Sequence, residues 1–254
     1  MRLTPTVHLV GSGLLGLNIS DEYDCNAYLV DCGGEWVLVD TGAGYRLERL
    51  LEEIDRSGCT PTQITRILLT HEHADHCGGV AALRELTGAL VYASAATAAA
   101  VKDTERFNRT LDGARRSGSY PDDYAFTGFE VDHRFSPGEP LVVGDTRIEV
   151  IATPGHCHGH CSLVIERDEH VHLFSGDALL PGGQIVLQAI DECSVSDSVT
   201  SIAALEPTKP DLLLAGHLAP VLRDGHRHIE FAMTRVRRGL LPEQLVIPER
   251  GEAR

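Results

Sequence analysis

The stretch Ile67-Leu68-Leu69-Thr70-His71-Glu72-His73-Ala74-Asp75-His76 runs from an apolar strand signal straight into three imidazoles and two carboxylates. Side chains alternate between the faces of a strand, so a strand ending in His71 and His73 points both to one side. Asp75 and His76 then need only a turn to point back at that side, and Gly78-Gly79 lets the chain make it. Neutral imidazole suits zinc, iron and manganese, and a carboxylate adds a hard, charge-neutralising oxygen. A solvated polar loop has little use for three histidines at a strand end, so the stretch reads as a metal-ligand cluster.

Upstream, Thr6 to Val10 is strand-like, and residues 26–30 and 35–39 flank Cys32-Gly33-Gly34 as the arms of a hairpin. Gly11-Ser12-Gly13-Leu14-Leu15-Gly16 has the spacing of a dinucleotide fingerprint. That fingerprint works only when the glycines open a helix, and here they lead into another strand, so they read as a flexible loop. Leu47, Leu50, Leu51 and Ile54 recur at helical spacing, with Gly58 as the stop. Residues 79–86 and 95–103 read as helices on either side of a strand at 89–93, an alternation that places the chain in the α/β class.

Downstream the chain turns strand-rich, at 141–143, 146–152, 161–166 and 170–175, with helices expected at 197–206 and about 226–238. Three more strand ends close on a small residue and a ligand-type side chain: Thr153-Pro154-Gly155-His156, Phe174-Ser175-Gly176-Asp177 and Ala215-Gly216-His217. With the first cluster this offers His71, His73, Asp75, His76, His156, Asp177 and His217. That is too many donors for one tetrahedral zinc, and it suits two ions sharing a carboxylate.

Composition bounds the partners. The 254 residues include 22 basic and 37 acidic side chains, a net charge of −15. Nucleic acid and anionic membrane surfaces both call for a basic footprint, so neither is expected as a partner, and a small-molecule substrate is. No apolar run approaches the roughly 20 residues that span a bilayer, and the Met1 end lacks a secretory pattern. The seven scattered cysteines therefore read as reduced thiols of a cytoplasmic protein.

Five blocks, Asp40-Thr41-Gly42, the HxHxDH run at 71–76, Thr153 to His156, Phe174 to Asp177 and Ala215 to His217, occur in one order across roughly residues 25–220. In these the chain resembles the metallo-β-lactamase-fold superfamily, its glyoxalase II and lactonase-like branch rather than the true β-lactamases, which place Cys or Ser where Asp177 stands. The resemblance implies a four-layer αββα sandwich over residues 1–254 as one domain. It implies that His71, His73 and His156 hold one divalent ion and Asp75, His76 and His217 a second, with Asp177 bridging. Zinc leads as the ion, with manganese or iron as alternatives. Asp75 and Asp177 are then the catalytic carboxylates, and Asp40 buttresses the loop behind the ligands.

The expected activity is hydrolysis of an ester, thioester or lactone by a metal-bridging hydroxide. The alternative is a mononuclear iron dioxygenase of the persulfide dioxygenase kind, whose wording Gly-Asp-Ala-Leu-Leu matches Gly176 to Leu180. Residues 105–130 interrupt the α/β pattern with mixed aromatic and basic side chains. They are expected to form either a lid over the substrate or an oligomer contact, as in a homodimer. Arg109, Arg115, Tyr120 and Tyr124 from this insertion, with His158 and His160 beside His156, are the candidate substrate residues. His160 is also a candidate support for the ligands. Arg106 and Arg116 add to the insertion's positive charge and suggest an anionic group on the substrate.

Overall fold

The computed structural model describes residues 1–136, 138–188 and 190–245. One mixed sheet takes β1 (Val7–Gly11), β2 (Ala27–Asp31), β3 (Trp36–Val39), β4 (Ile64–Leu68), β5 (Leu90–Ala93) and β6 (His133–Arg134) in that order. β1, β2 and β3 pair antiparallel, and β3 to β6 pair parallel. The second sheet takes β7 (Leu141–Val143), β8 (Thr146–Ala152), β9 (Cys161–Arg167) and β10 (His170–Gly176). After the short β11 (Gln184–Ile185), β12 (Leu212–Ala215) joins it, giving the order β12-β10-β9-β8-β7. β11 pairs instead with β13 (Glu243–Gln244).

The layers follow from the period of two in the strands. In β2, Tyr28 and Val30 face one way, with Val37, Val39 and Leu68, into a core shared with Ile148, Val150, Leu163, Ile165 and Phe174 of the other sheet. Ala27 and Leu29 face the other way, with Leu38, Ile67 and Val91. Onto that outer face pack α1 (Leu47–Arg56), α3 (Val80–Thr87), α4 (Ala95–Val101) and α5 (Thr104–Thr110) through Leu50, Ile54, Val80, Leu83, Val101 and Phe107. The one-turn α2 (Ala74–Cys77) and α6 (Asp112–Arg116) complete the layer. The outer face of the second sheet is covered by α7 (Val195–Leu205) and α8 (His226–Arg237) through Ile202, Leu205, Ile229, Ala232 and Met233. The result is the αββα sandwich. Among the described residues no helix is long and apolar enough to cross a membrane.

Two expectations change. β4 stops at Leu68, so His71 and His73 lie on the loop beyond it rather than on the strand itself. Thr70 is drawn out of the ladder because its N–H donates to Asp40 Oδ1 at 2.8 Å. Nor is the insertion a separate lid. Its helices α5 and α6 and the segment after them bury Phe107, Leu111, Tyr124, Phe126 and Phe129 in the core under the first sheet. Phe107 stacks on Phe126 with ring centroids 3.7 Å apart. A purely lid-like segment would not spend five large side chains on the scaffold. Phe126→Ala is therefore expected to destabilise the protein by ~3–5 kcal/mol, the cost of emptying a buried aromatic site. Denaturant unfolding measures it, and an unchanged midpoint would mean a segment that folds apart from the core.

Candidate metal centre

β3, β4, β8, β10 and β12 all deliver their C-terminal ends to one edge of the sandwich, where open α/β sheets gather their chemistry. The loop after β4 and the turn of α2 bring His71, His73, Asp75 and His76. The loops after β8, β10 and β12 bring His156, Asp177 and His217. The seven side chains expected as ligands thus come together. Ligand atoms of His71, His73 and His156 lie within 4.8 Å of one another, as do those of Asp75, His76 and His217. Those of His71, His76 and Asp177 do the same, which puts Asp177 between the two groups.

Hydrogen bonds decide which atom of each ring faces inward. His76 Nδ1 pairs with Asp40 Oδ2 at 2.9 Å and His156 Nδ1 with the Val186 carbonyl at 3.0 Å, so both turn Nε2 to the centre. His71 Nδ1 pairs with Thr70 Oγ1 at 3.0 Å, and its Nε2 also faces inward. His156 Nε2 and His73 Nδ1 face each other at 2.8 Å. His217 Nε2 lies 3.2 Å from Asp75 Oδ2 and 3.3 Å from Asp177 Oδ2.

Cations fit this cluster. His71 Nε2, His76 Nε2 and Asp177 Oδ1 are buried with no hydrogen-bond partner among the described residues, an arrangement that costs free energy unless something is bound between them. The space is kept open by Gly216, where a Cβ would stand 2.3 Å from Asp177 Oδ1 and 2.6 Å from His76 Cε1. The donor set of imidazoles and carboxylates suits zinc, manganese or iron.

The titration behaviour points the same way. Burial and then neighbouring imidazolium charge drive His71 far below the usual histidine range, and burial leads in bringing His73 to about 3. These rings are neutral donors. Burial opposes ionisation of Asp75 and Asp177, yet the surrounding histidines hold both carboxylates anionic. Burial also opposes charge on His217, but Asp177 and Asp75 outweigh it and bring the ring up to about 9.

Behind the ligands stands a layer of supports. Asp40 accepts from the Thr70 N–H, the Thr70 hydroxyl and His76 Nδ1, each at 2.8–2.9 Å. His160 is buried; its Nδ1 pairs with Thr153 Oγ1 at 2.8 Å and its Nε2 accepts from the Asp177 N–H at 3.0 Å. It supports Asp177 and is not open to substrate, which corrects the substrate role. Asn26 and Tyr28 donate to the Ala215 carbonyl at 3.0 and 2.7 Å and so fix the loop that carries His217. Sequence reading missed these two, because they sit just before and within an apolar strand with no motif around them. Cys25 lies near Asp40 and His76, but burial pushes its thiol up to about 12, and His76 Nδ1 is already taken by Asp40.

A cavity of about 680 Å³ opens from the centre. Its wall includes His73 and Asp75, then Ala96, Ala99 and Ala100 of α4, Phe107, Leu111 and Ala114 of the insertion, and Ile190. Of the candidate substrate residues, Tyr120 and His158 line it, and so does Arg106. Besides His160, three others do not. Arg115 is a staple, held by the Asn108 and Tyr124 carbonyls and by Asn108 Oδ1 at 2.8–2.9 Å. Tyr124 is buried and donates to the Ala43 carbonyl at 2.8 Å. Among the described residues Arg109 reaches only Glu105 on its own helix, at 3.9 Å. Gln188 and Glu192 also line the cavity, from a loop that carries no recognisable motif.

The family model described as the metallo-beta-lactamase superfamily matches residues 20–217. A hydroxyacylglutathione hydrolase of Rhodobacter capsulatus is 33% identical over 145 residues, 57% of this chain and 45% of that protein. A beta-lactamase-like protein 2 homolog of Caenorhabditis elegans is 28% identical over 84% of this chain and 63% of its own length. The chain thus spans between about half and two thirds of these curated relatives. In fold it is similar to a metallo-β-lactamase from Elizabethkingia meningoseptica, with a TM-score of 0.70 at 17% identity, covering 94% of this chain and 89% of that one.

The geometry makes two expectations for bound metal. Stripping an ion held at a thousand times its Kd removes ~4 kcal/mol of stability. A chelator is therefore expected to lower Tm by roughly 10 °C, at ~2–4 °C per kcal/mol for a chain of this size, and calorimetry with and without chelator reads it. Asp177→Ala is expected to lose metal that the unaltered protein retains, measured by mass spectrometry. Full retention of metal by that variant would remove Asp177 from between the two groups.

Proposed function

The chain belongs to the metallo-β-lactamase superfamily, and from that premise we propose that it is a binuclear metal-dependent hydrolase of ester, thioester or lactone carbonyls. The observation that carries the reading is the position of Asp177. Its Oδ1 faces His76 Nε2 at 3.5 Å, and its Oδ2 faces His156 Nε2 at 3.5 Å and His217 Nε2 at 3.3 Å, so one carboxylate spans both ligand groups. His71, His73 and His156 would hold one ion, Asp75, His76 and His217 the other, and zinc is the ion the donor set favours. Two such ions supply Lewis acidity and a hydroxide nucleophile at neutral pH.

The chain's own residues do the rest. Asp177 and Asp75 stay anionic despite burial and so offset the positive charge brought to the site. His160 fixes the Asp177 backbone, and Asp40 fixes His76. The cavity beside His73 and Asp75 has the size of a small-molecule site and an apolar wall suited to an acyl group. Arg106 at that wall has no ion-pair partner among the described residues and is free to meet an anionic group on the substrate. The second ligand group, complete with His217, supports two ions over the one iron of a dioxygenase. Thioesters lead the substrate classes, because a hydroxyacylglutathione hydrolase is among the relatives this chain resembles, at 33% identity over 57% of the chain. The seven cysteines, none in a disulfide, support a reducing, cytoplasmic setting.

Zinc-loaded protein is expected to hydrolyse members of a panel of acyl thioesters, lactones and aryl esters, and to lose that activity on chelation. Absence of turnover across the panel with both ions bound would overturn the reading. Arg106→Ala is expected to weaken kcat/KM roughly two- to fivefold for substrates carrying a carboxylate, with neutral ones unchanged, the scale of an exposed charge pair.

A further inference from the structure

Tyr120 sits where the cavity wall meets the second ligand group. Its hydroxyl donates to Asp75 Oδ1 at 3.3 Å. The other oxygen, Oδ2, faces His217 Nε2 at 3.2 Å and His76 Nε2 at 3.7 Å. The two oxygens of one carboxylate therefore face different partners. A free carboxylate can meet a cation through either oxygen or both, whereas an O–H donor on Oδ1 favours presentation of Oδ2 alone.

The ring that carries this hydroxyl is held in place. It stacks on Tyr124 with centroids 4.7 Å apart and planes 16° from parallel, and on Tyr23 at 5.9 Å and 29°. Tyr124 is in turn tied to the Ala43 carbonyl at 2.8 Å. Ala43 follows the turn after Asp40, where the Thr41 N–H donates to the His76 carbonyl at 2.8 Å. A row of aromatic rings thus runs from the insertion to the backbone behind the ligands. Among the described residues Tyr120 makes no hydrogen bond or ring contact with His71, His73 or His156.

We propose that Tyr120 is a positioning residue for the ion held by Asp75, His76 and His217, orienting Asp75 so that Oδ2 is its ligating atom. The inference rests on the binuclear reading above. It makes the inserted segment, which also walls the cavity, a contributor to one metal site and not the other. Partners of metal ligands commonly alter affinity 10- to 100-fold when removed.

The test uses the full-length zinc-loaded protein and competition with a zinc-binding chromophoric chelator, which counts the ions released and grades how tightly each is held. Tyr120→Phe keeps the ring and its stacking while removing the hydroxyl. It is expected to loosen one ion ~10- to 100-fold and leave the other unchanged, and Asp75→Asn is expected to loosen that same ion. Tyr124→Phe, which keeps the stacked ring and leaves the Tyr120 hydroxyl on Asp75, is expected to loosen that ion less than Tyr120→Phe does. Unchanged affinity in Tyr120→Phe, equal loosening of both ions, or the same loosening in Tyr124→Phe would overturn the proposal with the binuclear reading intact. A wild-type protein that releases a single zinc when fully loaded would overturn the binuclear reading, and this inference with it.

Discussion

A single buried carboxylate holds this architecture to its purpose. Asp40 is almost fully buried, and its backbone sits at φ +57°, a region that a residue with a Cβ occupies only at a cost. Its oxygens take three short hydrogen bonds, two from Thr70 and one from His76. The first two end β4 at Leu68 and turn the chain out of the sheet. The third aims His76 Nε2 into the centre. A charge buried there without those donors would be strongly destabilising, so the strand end, the turn and the ligand orientation stand or fall together.

The opposite wall obeys the same logic with different parts. β8, β10 and β12 run the same way in the second sheet, so His156, Asp177 and His217 emerge at one end without any long excursion. Gly176 and Gly216 flank Asp177, and a side chain on either would collide with His160, Thr70, Asp177 or His76. Packing between the sheets, Tyr28 against Phe174 among it, sets how far apart the two walls lie. The cluster of unpartnered atoms can persist because hydrophobic cores on both sides of each sheet fix the strands that carry them.

Much of this was legible because the strands and ligands announce themselves locally. Alternation in β2, β3 and β8, glycine at the turns, and ligand-type residues at strand ends are short-range signals, and the helices at 47–56 and 226–237 have clear periodicity. What was not legible depends on distant partners. Nothing near Tyr28 tells that its hydroxyl will meet Ala215, which lies 187 residues away. His160 reads either as a substrate contact or as a support for the ligands, and only the fold, by bringing the Asp177 N–H to its Nε2, decides between them. The insertion misled for a related reason: aromatic and basic residues mixed with Gly, Ser and Asp look like a loop. Yet most of its aromatics are core, Arg115 is an internal staple, and the cavity wall shares Phe107 and Leu111 with that core.

That double use has a consequence for how such a chain can diversify. In a scaffold whose recognition loops are separate from its core, one loop can be traded for another with little effect elsewhere. Here the face of α5 and α6 that meets the cavity belongs to the plug itself, since Phe107 and Leu111 both pack in the core with Phe126 and line the cavity. Substitutions that reshape the pocket strain the plug, and substitutions in the plug move the pocket. The natural unit of exchange between relatives is therefore the whole segment with its aromatic plug, transplanted as a block, and drift in ligand preference by single steps is penalised through foldedness.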